Sequence, residues 1–334
     1  MNSLNHILFF VIIFWGRDYM KNVVVFGGGT GLSHLLSGLK LFPVNVTAII
    51  SVADDGSSTG VLKRELSIPA VGDIGKVMLT MANANQDLIN LLSYRFDNPS
   101  LENHPIRNIM LAALIEQKGN LTDAIDFMCK LLKINGRILP ITEEKVELVS
   151  IMEDGTKIVG EDSITKSEKK IKELSYDREF KVNKEVLKSL KNADLIILSP
   201  GSLYTSILPH LIIPEIQDAI NDSKAKKMYV SNLFTQPGET DDFKVSAHLK
   251  VINKYINNID VVIANDKKIP TKTARKYETE EQKDQVKIDK KEIEKLNCKL
   301  ISDKLYGFSP IDGTIKHDSL KTSYLIFSYL MDEV

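Results

Sequence analysis

An α/β fold built on a doubly wound, mostly parallel sheet with a small β-hairpin insertion is what this 334-residue sequence predicts. Three observations carry the prediction. Short runs of Val, Ile and Leu alternate with stretches that show helical spacing of apolar residues. The apolar runs are continuous rather than alternating, as strands buried on both faces are. Five of them end in loops rich in Gly, Ser, Thr, Asp or Asn, at 27–31, 53–60, 199–206, 231–240 and 265–266.

Residues 1–19 stand apart from this pattern. Ile7–Trp15 is apolar, but it is too short to span a bilayer core of ~30 Å and lacks the flanks of a signal peptide. Residues 1–19 are therefore read as an N-terminal extension, disordered, packed or upstream of the native start. Residues 20–334 are read as a single α/β domain.

The first strand runs through Val23-Val24-Val25-Phe26 into Gly27-Gly28-Gly29-Thr30-Gly31. After it, Leu32, Leu35, Leu36 and Leu39 recur at i, i+3, i+4 and i+7, so a helix begins where the glycines end. Glycine lets backbone N–H groups approach an anion closely, and the helix start adds partial positive charge. The spacing fits neither familiar nucleotide fingerprint: Leu32 stands where G-x-G-x-x-G needs glycine, and no Gly-Lys-Ser/Thr follows.

Val46–Val52 is the second strand and ends in Ala53-Asp54-Asp55-Gly56-Ser57-Ser58-Thr59-Gly60. Adjacent carboxylates before small hydroxyl residues suit a metal ion or a polarised hydroxyl. Lys63 and Arg64 follow as potential phosphate partners. Asp73 opens a helix with Ile74, Val77, Met78 and Met81 on one face, and reads either as its cap or as a site carboxylate beside Asp55. His104-Pro105 starts another helix, with His104 at the surface, capping or on ligand.

From Arg137 to Glu161 the pattern turns to strands, with Asp154-Gly155 as a hairpin turn, so about 137–161 is read as the β insertion. Lys166–Lys181 is charge-dense and reads as a solvated edge or helix. The βα rhythm resumes at Asp194–Leu198, ending in Ser199-Pro200-Gly201-Ser202-Leu203-Tyr204-Thr205-Ser206, whose Gly201, Ser202 and Thr205 offer neutral donors to a diphosphate. Met228–Val230 ends in Ser231-Asn232-Leu233-Phe234-Thr235-Gln236, where Asn232 and Gln236 amides suit a base or sugar edge. His248 falls on an inner helix face. Val261–Ala264, Gln285–Ile288 and Lys299–Ser302 read as strands, and a helix closes the chain after His317-Asp318.

In a parallel sheet all strand carboxyl ends lie along one edge, where ligands bind. Five polar endings there imply an extended, phosphate-bearing ligand. Balanced charge, 43 basic against 44 acidic side chains, supplies no field to recruit nucleic acid or an anionic membrane. Cys129 and Cys298 lie far apart without a Cys-x-x-Cys pair, which suits a reducing cytoplasm. No Ser-His-Asp, Cys-His or His-x-x-x-His arrangement supports hydrolytic or zinc chemistry.

Further motifs join these: Gly72-Asp73-Ile74, Leu139-Pro140-Ile141-Thr142-Glu143-Glu144, Met152-Glu153-Asp154-Gly155-Thr156 and Thr235-Gln236-Pro237-Gly238-Glu239-Thr240. With the glycine turn, the Asp-Asp-Gly loop, the Ser-Pro-Gly-Ser loop and His317-Asp318, they run from Lys21 almost to the C-terminus. In this order they resemble the CofD-like phospholactate transferase family, and within it the bacterial gluconeogenesis factors of the YvcK type. The resemblance implies a Rossmann-like fold whose crevice holds a nucleoside diphosphate and the group attached to it.

For the transferase branch it implies Mg²⁺ and movement of a phospholactyl group from a guanosine diphosphate adduct to a deazaflavin alcohol. Asp54, Asp55 and Asp73 would then engage metal and acceptor, with Asp55 on the metal. For the gluconeogenesis-factor branch it implies a UDP-sugar-binding protein that supports cell shape and wall synthesis on gluconeogenic carbon sources. The Pro-Ile-Thr-Glu-Glu and Met-Glu-Asp-Gly-Thr blocks resemble that branch more closely. The nucleotide and phosphate contacts implied are Gly28, Gly29, Thr30, Gly31, Ser58, Gly201, Ser202, Thr205, Asn232, Thr235, Gln236, Tyr277 as a base-stacking ring, and Lys316. The chain departs from the family pattern at Ser57, Gly75-Lys76, Asn103, Arg107 and Lys316, where the family carries Arg. The expected partner is a nucleoside diphosphate sugar or related adduct, and whether the chain forms a homo-oligomer is left open.

Overall fold

In the computed structural model the described residues are 20–97, 101, 103–167, 169–309 and 313–332, so the expectation for residues 1–19 lies outside them. β1 (Lys21–Gly27) is the run expected around Val23, and Val23 to Phe26 are buried within it. It passes through the glycine turn into α1 (Gly29–Leu39), whose Leu32, Leu35, Leu36 and Leu39 are buried. Then come β2 (Val44–Ile50), the helices α2 (Ser57–Glu65), α3 (Gly72–Met81), α4 (Gln86–Ser93), α5 (Ile106–Lys118) and α6 (Leu121–Leu131), and β3 (Arg137–Pro140).

An antiparallel excursion follows: β4 (Leu148–Met152), β5 (Lys157–Val159), the short α7 (Glu161–Thr165) and β6 (Ile171–Tyr176). α8 (Lys184–Lys191), capped by the Asn183 side chain on Glu185 N, returns the chain to β7 (Leu195–Leu198). A single π turn at Leu203–Ile207 leads through α9 (Leu208–Leu211) and α10 (Pro214–Asp222) to β8 (Lys226–Val230). α11 (Val245–Ile252), β9 (Val261–Asn265), α12 (Thr271–Glu281), α13 (Lys290–Lys295) and β10 (Lys299–Asp303) come next. The hairpin β11 (Tyr306–Phe308) and β12 (Ile315–His317) precedes the closing helix α14 (Ser319–Asp332).

The main sheet has the order β10-β9-β8-β7-β1-β2-β3, and every pairing in it is parallel. From β1 the chain steps outward through β2 to β3, then crosses to β7 on the other flank of β1 and steps outward again. The order therefore reverses between β1 and β7, and the crevice at a doubly wound sheet's switch point opens beyond their carboxyl ends. β1 and β7 pair from Val23 with Leu195 to Phe26 with Leu198, and Ser199 N donates to Phe26 O at 3.0 Å. The glycine loop and the Ser-Pro-Gly-Ser loop thus leave the sheet side by side.

Several elements differ from the sequence reading, and β2, expected at Val46–Val52, spans Val44–Ile50. Arg137–Pro140, expected in the insertion, pairs parallel with β2 and ends the main sheet. The insertion instead spans Leu148–Tyr176 and has three strands in the order β5-β4-β6. The charge-dense stretch supplies β6, in which Leu174 is buried between exposed Glu173 and Ser175. Gln285–Ile288, expected as a strand, makes only an isolated bridge from Gln285 to Phe234. Thr271–Glu281, within the lysine-rich C-terminal stretch and unassigned from sequence, is helical with Tyr277 as its buried anchor.

Candidate functional site

The site is built where the two loops diverge. Gly29 sits at φ +59°, in the left-handed region that glycine adopts without penalty. At Gly31 the constraint is space: a Cβ there would lie 1.7 Å from the Pro200 carbonyl oxygen, so the loops touch backbone to backbone. Asp73, in the first turn of α3, accepts from Gly29 N at 2.5 Å and pairs with Lys76 at 3.0 Å. Two cavities of about 330 Å³ and about 170 Å³ open at this edge.

The larger cavity is lined by Thr30, Gly31, Gly201 and Ser202 from the crossing loops, and by Asn232, Thr235 and Gln236 from the end of β8. Tyr277 and Lys316 close its outer side. Among the described residues no carboxylate pairs with Lys316, so a half-buried ammonium faces this cavity beside the start of α1. Phe234 stacks on Tyr277 with ring centroids 4.4 Å apart and planes 13° apart. The Tyr277 hydroxyl accepts from Ile315 N at 2.8 Å, which fixes the ring against β12. His34 of α1 bonds to the His317 carbonyl, and His317 Nε2 contacts Ser231 O at 3.0 Å. These bonds tie α1, β8 and β12 into one wall.

The smaller cavity is lined by Gly28, Gly29, Asp54, Asp73, Glu161 and Thr205, with Ser51, Lys76 and Ser206. Burial pushes the Asp54 carboxyl above the usual carboxylate range, with Asp73 adding to the rise. Burial, and then the Asp54 charge, push Glu161 up to about 7. Glu239 is buried behind the lining of the larger cavity. Ser202 Oγ lies 2.5 Å from its Oε2, Gln236 Nε2 donates to its Oε1 at 2.8 Å, and burial raises it to about 7.

From Ser202 a row of hydroxyls reaches the smaller cavity. Thr205 Oγ1 donates to Ser202 Oγ at 2.8 Å, and Thr165 Oγ1 lies 3.2 Å from Thr205 Oγ1 and 3.1 Å from Glu161 Oε1.

Most residues singled out in the sequence line one of these cavities, and several do not take the place expected; Arg64 is exposed and lines neither cavity, and His104 is buried off both. The Asp55 carboxylate accepts from Asp162 N at 2.8 Å and packs on Gly160, so it caps α7 instead of facing the cavity. Ser58 is buried against His104 Nδ1 at 2.6 Å, with Asn108 Nδ2 donating to it at 3.2 Å. Lys63 is buried and donates to Glu147 and the Ala53 carbonyl, which withdraws it from phosphate. Asn232 lines the larger cavity, but its amide clamps the Ser-Pro-Gly-Ser loop: its Oδ1 accepts from Gly201 N and its Nδ2 donates to Gly201 O.

Sequence reasoning missed Glu161 and passed over Glu239, His34 and Phe234. Of these, His34 carried a signal, since it lies one helical turn beyond Gly31. Among the described residues no group of three or more His, Cys, Asp and Glu is placed to hold a metal ion on its own. Mg²⁺ commonly takes one or two carboxylates with substrate phosphate oxygens, and Asp54 and Asp73 are the pair on one cavity that fits that pattern.

A family model described as 2-phospho-L-lactate transferase CofD matches residues 23–306. The chain is 40 % identical over 310 residues to the gluconeogenesis factor of Halalkalibacterium halodurans, covering 92 % of this chain and 95 % of that one. It is 37 % identical over 314 residues to the gluconeogenesis factor of Bacillus subtilis, covering 93 % and 98 %. A crystal structure of a protein from Bacillus halodurans matches with a TM-score of 0.88 at 39 % identity, covering 92 % of this chain and 99 % of that one.

Proposed function

We propose a function from one premise: this chain belongs to the 2-phospho-L-lactate transferase CofD family. The reading is a cytoplasmic regulatory factor that holds a UDP-sugar without rapid turnover, in support of cell shape and wall synthesis on gluconeogenic carbon sources. It extends the name gluconeogenesis factor, carried by relatives that this chain matches over nearly their whole length.

The observation that carries the reading is the larger cavity at the switch point. There the Lys316 ammonium, which no carboxylate among the described residues pairs with, the Gly31 turn and the Ser202 hydroxyl converge on a space of about 330 Å³ edged by Phe234 and Tyr277. A diphosphate fits between the start of α1 and Lys316, where backbone N–H groups and one cation meet its charge. A base fits against the aromatic pair, and Gln236 offers an amide at its edge. Lys316 supplies a point charge where Arg would supply a fork, so it attracts phosphate without fixing its orientation.

A second reading has one observation in its favour: Asp54 and Asp73 share the smaller cavity with Glu161. In a transferase moving a phospholactyl-type group, Asp54 and Asp73 would hold Mg²⁺, which neutralises diphosphate charge, and Glu161 would take the proton of an acceptor hydroxyl.

A thermal-shift titration against UDP-, GDP- and ADP-linked sugars, with and without Mg²⁺ and with a product check, separates the two. Ligand at 100 times its dissociation constant adds about 2.7 kcal/mol to the folded state. A UDP-sugar shift without metal or product is expected. A Mg²⁺-dependent guanosine nucleotide shift with release of the monophosphate would overturn the binder in favour of the transferase.

A further inference from the structure

We propose that the smaller cavity is the subsite for the group carried on the nucleotide, and that it selects an uncharged, hydroxyl-rich group, a neutral sugar, over one bearing a carboxylate. The inference deepens the nucleotide-sugar reading and rests on it.

The two cavities share their walls. Within one loop Gly28 and Gly29 line the smaller cavity while Thr30 and Gly31 line the larger. Within the other, Thr205 and Ser206 line the smaller and Ser202 the larger. Ser202 and Thr205 are joined by a 2.8 Å hydrogen bond, so a diphosphate on the crossing loops has its far end directed at the smaller cavity. That cavity, at about 170 Å³, is well below the roughly 300–1,000 Å³ of drug-sized pockets and takes one ring.

Its lining is acidic. Asp54, Asp73 and Glu161 bring three carboxyl groups to the cavity, joined by the hydroxyls of Ser51, Thr205 and Ser206, which both donate and accept. Sugar hydroxyls can donate to all of them, in bonds that are charge-assisted where the carboxylates are ionised. A carboxylate brought into the same space can accept from the three hydroxyls but gives the carboxyl groups no donor and meets their charge. Among the described residues the one cation on this wall, Lys76, is exposed and already paired with Asp73. Glu161 is the residue through which the insertion enters this selection, because α7 carries it onto the cavity.

The test is isothermal titration of the full chain, in EDTA, with UDP, UDP-glucose and UDP-glucuronate, repeated on Glu161→Gln and Asp54→Asn, each variant checked by its melting transition. UDP-glucose is expected to bind at least tenfold more tightly than UDP-glucuronate. Either folded variant should shrink that ratio at least threefold by strengthening UDP-glucuronate. UDP-glucose and UDP-glucuronate within threefold of each other, with UDP itself binding, would overturn the subsite and leave the nucleotide reading standing. No binding of UDP or either UDP-sugar would overturn the nucleotide reading, and the subsite with it.

Discussion

Ser202 has one hydroxyl hydrogen to give, and Glu239 decides where it goes. Ionised, Glu239 accepts that hydrogen across the 2.5 Å contact; protonated, it donates to Ser202 Oγ once Thr205 Oγ1 turns its own hydrogen from Ser202 to Glu161, and frees the Ser202 hydrogen for a phosphate oxygen. Burial raises Glu239 from 4.5 to about 7, so a diphosphate at Ser202 binds with proton uptake. Titrations at pH 6, 7 and 8 should show UDP-glucose affinity falling as pH rises through about 7, by up to about tenfold per unit, and Glu239→Gln should flatten the profile. The same sign governs stability of the free chain. Between 4.5 and about 7 the folded state holds a proton that the unfolded state has lost, so stability present at low pH is lost across that window, by on the order of 3 kcal/mol. Gly31→Ala is the steric counterpart: its Cβ would meet Pro200 O at 1.7 Å. Melting should show a loss of about 1–3 kcal/mol, with the UDP-sugar shift abolished.

At the scale of elements, the five-residue α7 depends on a residue far away in sequence. Asp55 accepts from Asp162 N, 107 positions on, and so fixes the helix that presents Glu161. Asp55→Ala should cost about 1 kcal/mol as a lost cap and speed hydrogen exchange across 160–165 while β1 stays protected; unchanged exchange there would remove the cap from the account. The contact also marks where sequence reading stops. β1, β2, β7, β8 and β9 were legible because strands buried on both faces leave unbroken apolar runs, and Gly28 to Gly31, Ser202, Gln236 and Lys316 were legible as local punctuation or a family motif. Glu161 was not, because only the folded insertion brings it to the sheet edge. Asp55 misled for the same reason: adjacent to Asp54 in sequence, it faces α7 rather than the cavity. β6 and α12 were missed because each shows one buried residue, Leu174 and Tyr277, too little for a period.

The whole molecule places these parts through one topological fact, the reversal of strand order between β1 and β7. It sets two phosphate-suited loops side by side and leaves β8 and the β11–β12 hairpin to wall the same crevice. No described helix is long and apolar enough to cross a membrane. A further cavity of about 600 Å³ lies between β6 and α10, lined by Tyr176, Phe180 and Pro214, away from the crevice. Hydrogen–deuterium exchange with and without saturating UDP-glucose tests the central claim most directly, because it asks the backbone where the ligand sits. The account predicts slowed exchange at 28–34, 200–206, 234–240 and 315–317, with none at 174–180 or 212–215. Protection confined to the groove between β6 and α10 would contradict it.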